Sequence, residues 1–294
     1  MVDGLSTSGK KVKYFPEAEI CPGTLTWKGG RLLCGRYGET MNSEINWKDM
    51  VSSLTWLLRP QATPVGMKWV RTEEELRAIP KVRIHDKHLP PCTIVSHAAQ
   101  FNWTSACRFE NVHANYCRGI NGMFAPDEKW YSGKMFENVW YDNLEASKAH
   151  NLALNRVSPE YVALVASPLS AGRIEPDVCV LYLSPAQAFL FFAGYQYHEY
   201  EKLEFTFVGE STCSDSWVRT FLTGKPAMAL PCYADKKFAG VGENDLRVTV
   251  TPAGLLRALE GLEGLYKNGL RYPIGSYSLT SDILEGLPAH YLEF

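Results

Sequence analysis

Apolar residues recur at helical spacing in several segments of the chain. Pro252 opens the clearest of them, a segment with Leu255, Leu259, Leu262 and Leu265 on one helical face. At 184–187, a serine N-cap, a proline at the first helical position and a glutamine two residues later form a strong helix start. The pattern predicts helices over residues 46–58, 73–79, 93–108, 136–155, 185–194 and 213–222, and one beginning at Pro252. An interruption of the 93–108 helix near Asn102 is an open alternative.

Short apolar or alternating segments lie between these helices and are typical of strands. They cover residues 64–70, 160–167, 178–183, 203–208, 227–230 and 246–251. Gly29-Gly30 predicts a hairpin between two further extended segments near the start of the chain. Because helices and strands are interspersed, we expect an α/β (α+β) fold with mixed sheets and flanking helices.

The order of elements also raises the possibility of an internal duplication. A strand followed by Cys107 and Cys117 in the first half recurs as a strand followed by Cys213 and Cys232 in the second, at similar spacing. We therefore expect an N-terminal extension over 1–48 and one main domain over 49–294. Two pseudo-repeated halves, 55–155 and 156–275, are an open alternative.

Composition narrows the class of protein. The chain has 294 residues, 46% of them hydrophobic and 21% charged, with a formal net charge of −2. These values are those of an ordinary globular protein and argue against binding to nucleic acid, which requires a basic face. There is no apolar leader segment and no apolar stretch of bilayer length, so we expect a cytoplasmic protein without a membrane partner. A homo-oligomer is compatible with the sequence.

The eight cysteines are the main candidates for chemistry. No C-x2-C pair is present, so any metal site must be assembled by the fold from distant residues. We take Cys107, Cys117, Cys213 and Cys232 as candidate ligands of an iron–sulfur cluster or of zinc. The alternative is that they are small buried apolar residues, which is our interpretation of Cys179 in the middle of an apolar strand.

Cys213 is the candidate reactive thiol. Thr212-Cys213-Ser214-Asp215 has the pattern of a helix start, and the free N–H groups of a first helical turn favour a thiolate. The pattern therefore predicts a lowered pKa for Cys213, with His113 and Asp215 as candidate acid–base residues. The alternative is that Cys213 packs in the core beneath Trp217.

Aromatic and basic residues near these cysteines are candidates for substrate binding. Aromatic side chains suit a flat ligand, and basic ones suit an anionic group. The candidates are Trp103, Tyr116, Trp217, Arg219, Tyr233 and Lys236. The alternative is an ordinary aromatic core with solvated surface charges.

The order of several motifs resembles that of the DUF169 (ArCR) family of archaea and anaerobic bacteria. The matching motifs are Pro64-Val65-Gly66-Met67-Lys68, Ser105-Ala106-Cys107, Cys117-Arg118-Gly119-Ile120-Asn121-Gly122, the stretch 177–188, Ser211-Thr212-Cys213 and Leu230-Pro231-Cys232. The resemblance covers roughly residues 55–270 and implies an oxygen-sensitive cysteine site. We predict a polar turn after Cys232, over Tyr233-Ala234-Asp235-Lys236-Lys237. The family often has glycine and arginine where Ala234 and Lys236 stand here, which weakens an anion-binding role for this turn.

Taken together, these features lead us to expect an enzyme of anaerobic small-molecule catabolism. It would act on an aromatic or oxo-acid substrate through a cysteine-lined site that a metal could complete. Two alternatives stay open: a non-catalytic protein with a cysteine-ligated iron–sulfur cluster or zinc, and an accessory protein that binds a small ligand.

Overall fold

The computed structural model describes residues 24–28, 31–35, 41–42, 45–112 and 115–275, in two compact units, Met1–Ile45 and Asn46–Phe294. The first unit contains an antiparallel sheet of β1 (Thr24–Lys28), β2 (Arg31–Gly35) and β3 (Met41–Asn42), in that order. Lys28 pairs with Arg31, which confirms the predicted hairpin. The rest of the predicted extension lies outside the described residues.

The second unit is built around one seven-stranded sheet with the order β5-β6-β7-β4-β8-β10-β9. Its strands are β4 (Val65–Val70), β5 (Arg83–His85), β6 (Ser105–Arg108), β7 (Ala163–Pro168), β8 (Val178–Leu183), β9 (Ala227–Ala229) and β10 (Leu246–Val250). β5 and β6 are parallel, and the other neighbours are antiparallel. A mixed α/β fold is thus confirmed, while the internal duplication stays a prediction.

Helices connect and cover these strands. They are α1 (Trp47–Leu58), α2 (Glu73–Ala78), α3 (Pro91–Phe101), α4 (Asn115–Ile120), α5 (Glu128–Tyr131), α6 (Leu144–Ala153), α7 (Pro185–Tyr195), α8 (Arg219–Thr223), α9 (Tyr233–Ala239) and α10 (Pro252–Lys267). A π-helical segment, Ser214–Val218, leads directly into α8. Within the described part of the chain, no helix is long and apolar enough to cross a membrane.

The two faces of the sheet are buried by different helices. Val178, Val180 and Tyr182 of β8 face a core that also contains residues of α3, α4, α9 and the π-helical segment. Because side chains alternate along a strand, Cys179 and Leu181 point to the opposite face, where α7 and α10 pack. Cys179 is fully buried there, which confirms its interpretation as a core residue.

α7 and α10 are packed closely enough for their backbones to touch. A Cβ atom on Gly261 would overlap the carbonyl oxygen of Gly194, and one on Gly194 would lie 2.7 Å from the carbonyl oxygen of Ala258. Glycine at both positions is therefore what allows the helices to approach. α7 begins at the predicted capping box: the Gln187 N–H donates to Ser184 Oγ, and the Ser184 N–H donates to Gln187 Oε1.

Two predicted elements are wrong in ways that affect the site. The helix expected over 93–108 ends at Phe101, because Asn102 adopts a left-handed conformation (φ 56°) and β6 follows, so Cys107 lies within a strand. The polar turn expected after Cys232 is α9, capped by Asp235, whose Oδ2 accepts the Cys232 N–H at 3.0 Å.

Three other segments differ from the prediction. Residues 203–208 alternate in burial but pair with no strand of the described sheet, so no element forms there. The helix expected over 136–155 begins only after Asn143, whose side chain accepts the Ala146 N–H. β5 lies in a segment expected to be a loop.

Candidate functional site

Four cysteine side chains converge on the sheet face that α3, α4 and α9 cover. The sulfur of Cys213 interacts electrostatically with those of Cys117 and Cys232, and the sulfur of Cys92 interacts with the same two. Cys117 and Cys232 also interact with each other. We refer to these residues, Cys92, Cys117, Cys213 and Cys232, as the four-thiol group.

Each member of the four-thiol group comes from a different element. Cys92 lies in the first turn of α3, and Cys117 lies within α4. Cys213 immediately precedes the π-helical segment, and Cys232 is the N-cap of α9. The group therefore depends on how these four elements pack together, which no local sequence motif specifies.

Buried hydrogen bonds hold these elements in place. Asn121, fully buried, donates from Nδ2 to the Cys117 carbonyl at 2.9 Å and accepts at Oδ1 from Trp217 Nε1 at 2.9 Å. It thereby joins α4 to the π-helical segment. Thr212 Oγ1 donates to the Leu230 carbonyl at 2.9 Å, which brings the backbone before Cys213 towards the segment that leads to Cys232.

The backbone next to Cys213 is strained at Ser211 and leaves the helical conformation at Ser216. Ser211 adopts a left-handed conformation with φ 68°, which is uncommon for a residue other than glycine. Ser216 interrupts the π-helical segment with φ −109° and ψ −105°. Strained residues and π-helical turns both cluster at functional sites, where the surrounding structure holds a side chain in a required position.

A fully buried ion pair adjoins the four-thiol group. Arg247, from β10, donates to the carboxylate of Asp235, and both residues are almost entirely inaccessible to solvent. The guanidinium lies 4.4 Å from the centroid of the Trp217 ring and 5.8 Å from that of Tyr182. Burial is the largest single influence on Arg247 and lowers its pKa, but the charge of Asp235, together with Tyr182, Cys232 and Cys92, raises the pKa by more. The net pKa is raised, so the arginine stays charged.

Burial keeps the four thiols protonated. It raises the pKa of Cys117 and of Cys232 from the ordinary value of 9.0 to about 12, and raises those of Cys92 and Cys213 well above it. The lowered pKa predicted for Cys213 is therefore wrong. Desolvation of its sulfur, with the neighbouring thiols adding to the effect, dominates over its position at the start of a helical segment.

A half-buried carboxyl group lies beside Cys232. Glu210 forms a side-chain hydrogen bond with Cys232, and its Oε2 accepts the Tyr233 N–H at 3.3 Å. Desolvation raises the pKa of Glu210. His150 contacts the same residue through its Nε2, 3.1 Å from the Glu210 carbonyl oxygen. Glu210 could therefore supply or accept a proton at this edge of the group.

Cys107 faces the same core but is not near the four-thiol group. Cys107 lies in β6. Three strands, β7, β4 and β8, lie between β6 and β10, the strand of Arg247, which adjoins the four-thiol group. At about 4.8 Å per strand, that separation is roughly 15–20 Å. Its thiol contacts the Leu164 carbonyl of β7 at 3.9 Å. The structure thus brings together three of the four predicted ligands and adds Cys92.

The predicted substrate-binding residues are dispersed. Trp217 lies beside Arg247, next to the four-thiol group, and Tyr116 directly precedes Cys117. Trp103 instead packs against Arg83, whose guanidinium lies 3.9 Å from its ring centroid.

The other basic and aromatic candidates point elsewhere. Arg219 donates to the Glu204 carbonyl at 3.0 Å, and Lys236 donates to the Gly242 carbonyl at 2.5 Å. Tyr233 is largely exposed and contacts the Trp140 ring edge to face.

Of the two predicted acid–base residues, the structure describes only Asp215, which has no cysteine of the four-thiol group among the groups that shift its pKa. Asp215 is buried and its Oδ1 accepts from Asn155 Nδ2 at 3.3 Å. Desolvation raises its pKa, and its charged neighbours are Arg219 and His150 rather than a cysteine. His113 lies outside the described residues.

Three residues of the site were missed by the sequence interpretation. Cys92 follows Pro90-Pro91, and the second of these prolines opens α3, but the predicted helix began one residue after Cys92. Arg247 interrupts an otherwise apolar strand, which is a signal for a buried charge that needs a partner. Glu210 lies in a loop without any local pattern.

The described side chains do not form a ready-made metal site. In the ranges 45–112 and 115–275, no three His, Cys, Asp or Glu side chains are arranged to hold a metal ion. Tetrahedral zinc would require sulfurs about 3.8 Å apart, given bonds of about 2.3 Å. A metal or cluster at the four-thiol group would therefore require its side chains to rearrange.

The fold and this site define a mixed α/β protein with a buried group of four thiols beside an arginine–aspartate ion pair. The chain belongs to the DUF169 family, described as uncharacterised ArCR, whose profile matches residues 53–261. It is also similar to the uncharacterized protein MJ0308 of Methanocaldococcus jannaschii, with 27% identity over 161 residues, 53% of this chain and 69% of that protein. No solved structure is significantly similar to the chain.

Alkaline pH should destabilise the metal-free protein through its buried thiols. Burial raises the pKa of Cys107 from 9.0 to about 12. Because the folded-state pKa is above the unfolded one, the thiol's contribution is fully present below pH 9 and is lost as pH rises towards 12. Between pH 8 and 10 this loss is about 1.4 kcal/mol for one thiol.

Urea unfolding of reduced wild type and Cys107→Ala at both pH values measures this effect. The decrease in unfolding free energy between pH 8 and 10 should be smaller in Cys107→Ala by about 1.4 kcal/mol. Equal decreases in the two proteins would show that the Cys107 thiol is not desolvated.

Proposed function

We propose that the chain is an enzyme of anaerobic small-molecule catabolism whose reaction centre is an iron–sulfur cluster held by the four-thiol group. The observation that carries the proposal is the convergence of Cys92, Cys117, Cys213 and Cys232 from four separate elements. Four soft sulfur donors in a buried site suit iron or another thiophilic metal. The substrate would be an aromatic or oxo-acid compound.

The raised thiol pKa values favour metal ligation over catalysis by a free thiolate. A cysteine nucleophile must be ionised near neutral pH, and burial opposes this at all four positions. A bound metal deprotonates a thiol outright, because the metal replaces the proton. The same burial that disfavours a free thiolate therefore does not disfavour a ligated one.

Neighbouring residues would complement such a centre. The Arg247–Asp235 pair presents both charges to the group: the guanidinium has the larger effect on the pKa of Cys213, and the carboxylate has the larger effect on that of Cys232. The guanidinium would offset part of the negative charge of ligated thiolates on the Cys213 side. Glu210, which bonds to Cys232, would serve as a proton donor or acceptor at the edge of the centre. Cys117 and Cys232 retain partial exposure, so a substrate could approach from that side.

Metal analysis after anaerobic purification tests this proposal. We expect iron and acid-labile sulfide in the wild type, with visible absorption, and their loss in Cys92→Ala and Cys213→Ala. Cys107→Ala and Cys179→Ala are matched controls, because both remove a buried thiol outside the group, and both should retain the metal.

Two results would overturn the proposal. One is a wild-type chain that binds no iron even after reconstitution with iron and sulfide. The other is full metal content in Cys213→Ala. Loss of metal in Cys107→Ala with retention in Cys92→Ala would instead support the ligand set expected from the sequence.

A further inference from the structure

A cavity of about 610 Å³ is lined by residues of α4, of α5 and of the segments that follow them. Two of its lining residues, Tyr116 and Arg118, flank Cys117 in the sequence of α4. Its volume is in the range of pockets that bind small organic molecules. We refer to it as the α4–α5 pocket.

The α4–α5 pocket carries uncompensated positive charge. Arg118, Lys129 and Lys134 line it, against one carboxylate, that of Asp127. None of the three basic residues forms an ion pair with another residue of the described part. The Nε of Arg118 is buried there without a hydrogen-bond partner. An anion in the pocket would pair with the charge of the Arg118 guanidinium, which forms no ion pair among the described residues.

The walls of the pocket are aromatic. Tyr116, Phe124 and Trp130 line it, and the Trp130 and Tyr116 ring centroids are 5.2 Å apart. Trp130 is almost fully buried. Its backbone N–H donates to Asp127 Oδ1 at 2.9 Å, the N-terminal cap of α5, which fixes the backbone that carries the ring. Rigid aromatic walls favour a flat, apolar ligand body over a small inorganic anion.

We propose that the α4–α5 pocket binds an aromatic carboxylate, with its ring against Trp130 and Phe124 and its carboxylate at Arg118 and the neighbouring lysines. The planar guanidinium of Arg118 matches the geometry of a carboxylate. This inference deepens the proposed function by naming the substrate class, and it places that substrate one residue along α4 from Cys117.

Isothermal titration of the reduced full-length chain with benzoate tests the inference. We expect saturable binding with a Kd on the order of 1 mM or tighter. Benzyl alcohol, which keeps the ring without the charge, and inorganic phosphate, which keeps the charge without the ring, should both bind more weakly. Equal binding of benzyl alcohol would show that the basic residues are not used, and equal binding of phosphate would show that the aromatic walls are not.

Two variants separate the role of Arg118 from general electrostatics. Arg118→Gln should raise the Kd for benzoate about tenfold or more, because it removes a charge-assisted hydrogen bond. Arg156→Gln is the matched control: its guanidinium lies 5.3 Å from the Trp130 ring centroid without lining the pocket, so its effect should be below about twofold. An unchanged urea midpoint for Arg118→Gln shows that it is folded.

These experiments can refute the α4–α5 pocket and the proposed cluster separately. Benzoate binding to a chain that holds no metal would support the pocket and refute the cluster. A metal-containing chain that binds no benzoate at about 10 mM, or an Arg118→Gln variant with unchanged affinity, would refute the pocket alone.

Discussion

Arg247→Met is expected to lower the free energy of unfolding by about 3–5 kcal/mol, because it leaves the buried carboxylate of Asp235 without its partner. The methionine fills a similar volume, so the loss reports the charge rather than a cavity. Urea unfolding of the reduced, metal-free chain, followed by tryptophan fluorescence, measures the change.

A second substitution identifies the cause of this loss. In Arg247→Met/Asp235→Asn the buried charge is absent, while the amide oxygen can still accept the Cys232 N–H that caps α9. We expect this double variant to regain much of the lost stability. Arg71→Met, which breaks the exposed ion pair with Glu160, should have a far smaller effect, because solvent screens that pair. A loss for Arg247→Met no larger than that of Arg71→Met would contradict the prediction.

Gly261→Ala is the second substitution with a large expected effect. The added methyl group would overlap the Gly194 carbonyl, which belongs to the backbone of α7 and cannot rotate away. α7 and α10 would have to separate, so we expect the unfolding free energy to fall by about 3 kcal/mol. Equilibrium urea unfolding, checked by circular dichroism for retained helix content, gives the value.

Gly254→Ala is the matched control for Gly261→Ala, since it places the same residue type in the same helix. The nearest atoms to its new methyl group are 3.3 Å away, which requires only a small shift. The higher helix propensity of alanine offsets that cost, so the change should be within about 1 kcal/mol. Similar losses for the two variants would mean that the α7–α10 contact is not the cause.

Elements with strong local signals could be predicted from the sequence. α7 and α10 begin at capping residues followed by proline, and β8 is a continuous apolar stretch, so their positions followed directly. An interruption near Asn102 was anticipated, and the left-handed Asn102 does end α3. β6 was missed because the residues after Asn102 were still assigned to the helix. The unpaired segment 203–208 has the alternation of a strand, but strand formation also requires a neighbour with free hydrogen-bonding groups.

The candidate site was harder to predict because it depends on contacts between distant elements. Cys117, Cys213 and Cys232 were selected from their positions near element ends, and they do meet. Cys107 was grouped with them because a strand followed by two cysteines recurs in both halves of the sequence, but Cys107 lies in β6, beyond the end of α3. Desolvation of Cys213 could not be predicted either, since it arises from residues packed around it in the fold.

The wide sequence separation of the four thiols connects their reactivity to the folding of the chain. Cys92 and Cys232 are nearly half the chain apart, so they meet only after long-range contacts have formed. In the unfolded chain each thiol would be exposed and would ionise at its ordinary pKa. Alkylation of metal-free protein at neutral pH should therefore proceed through transiently opened molecules, and its rate would report how often the native structure opens.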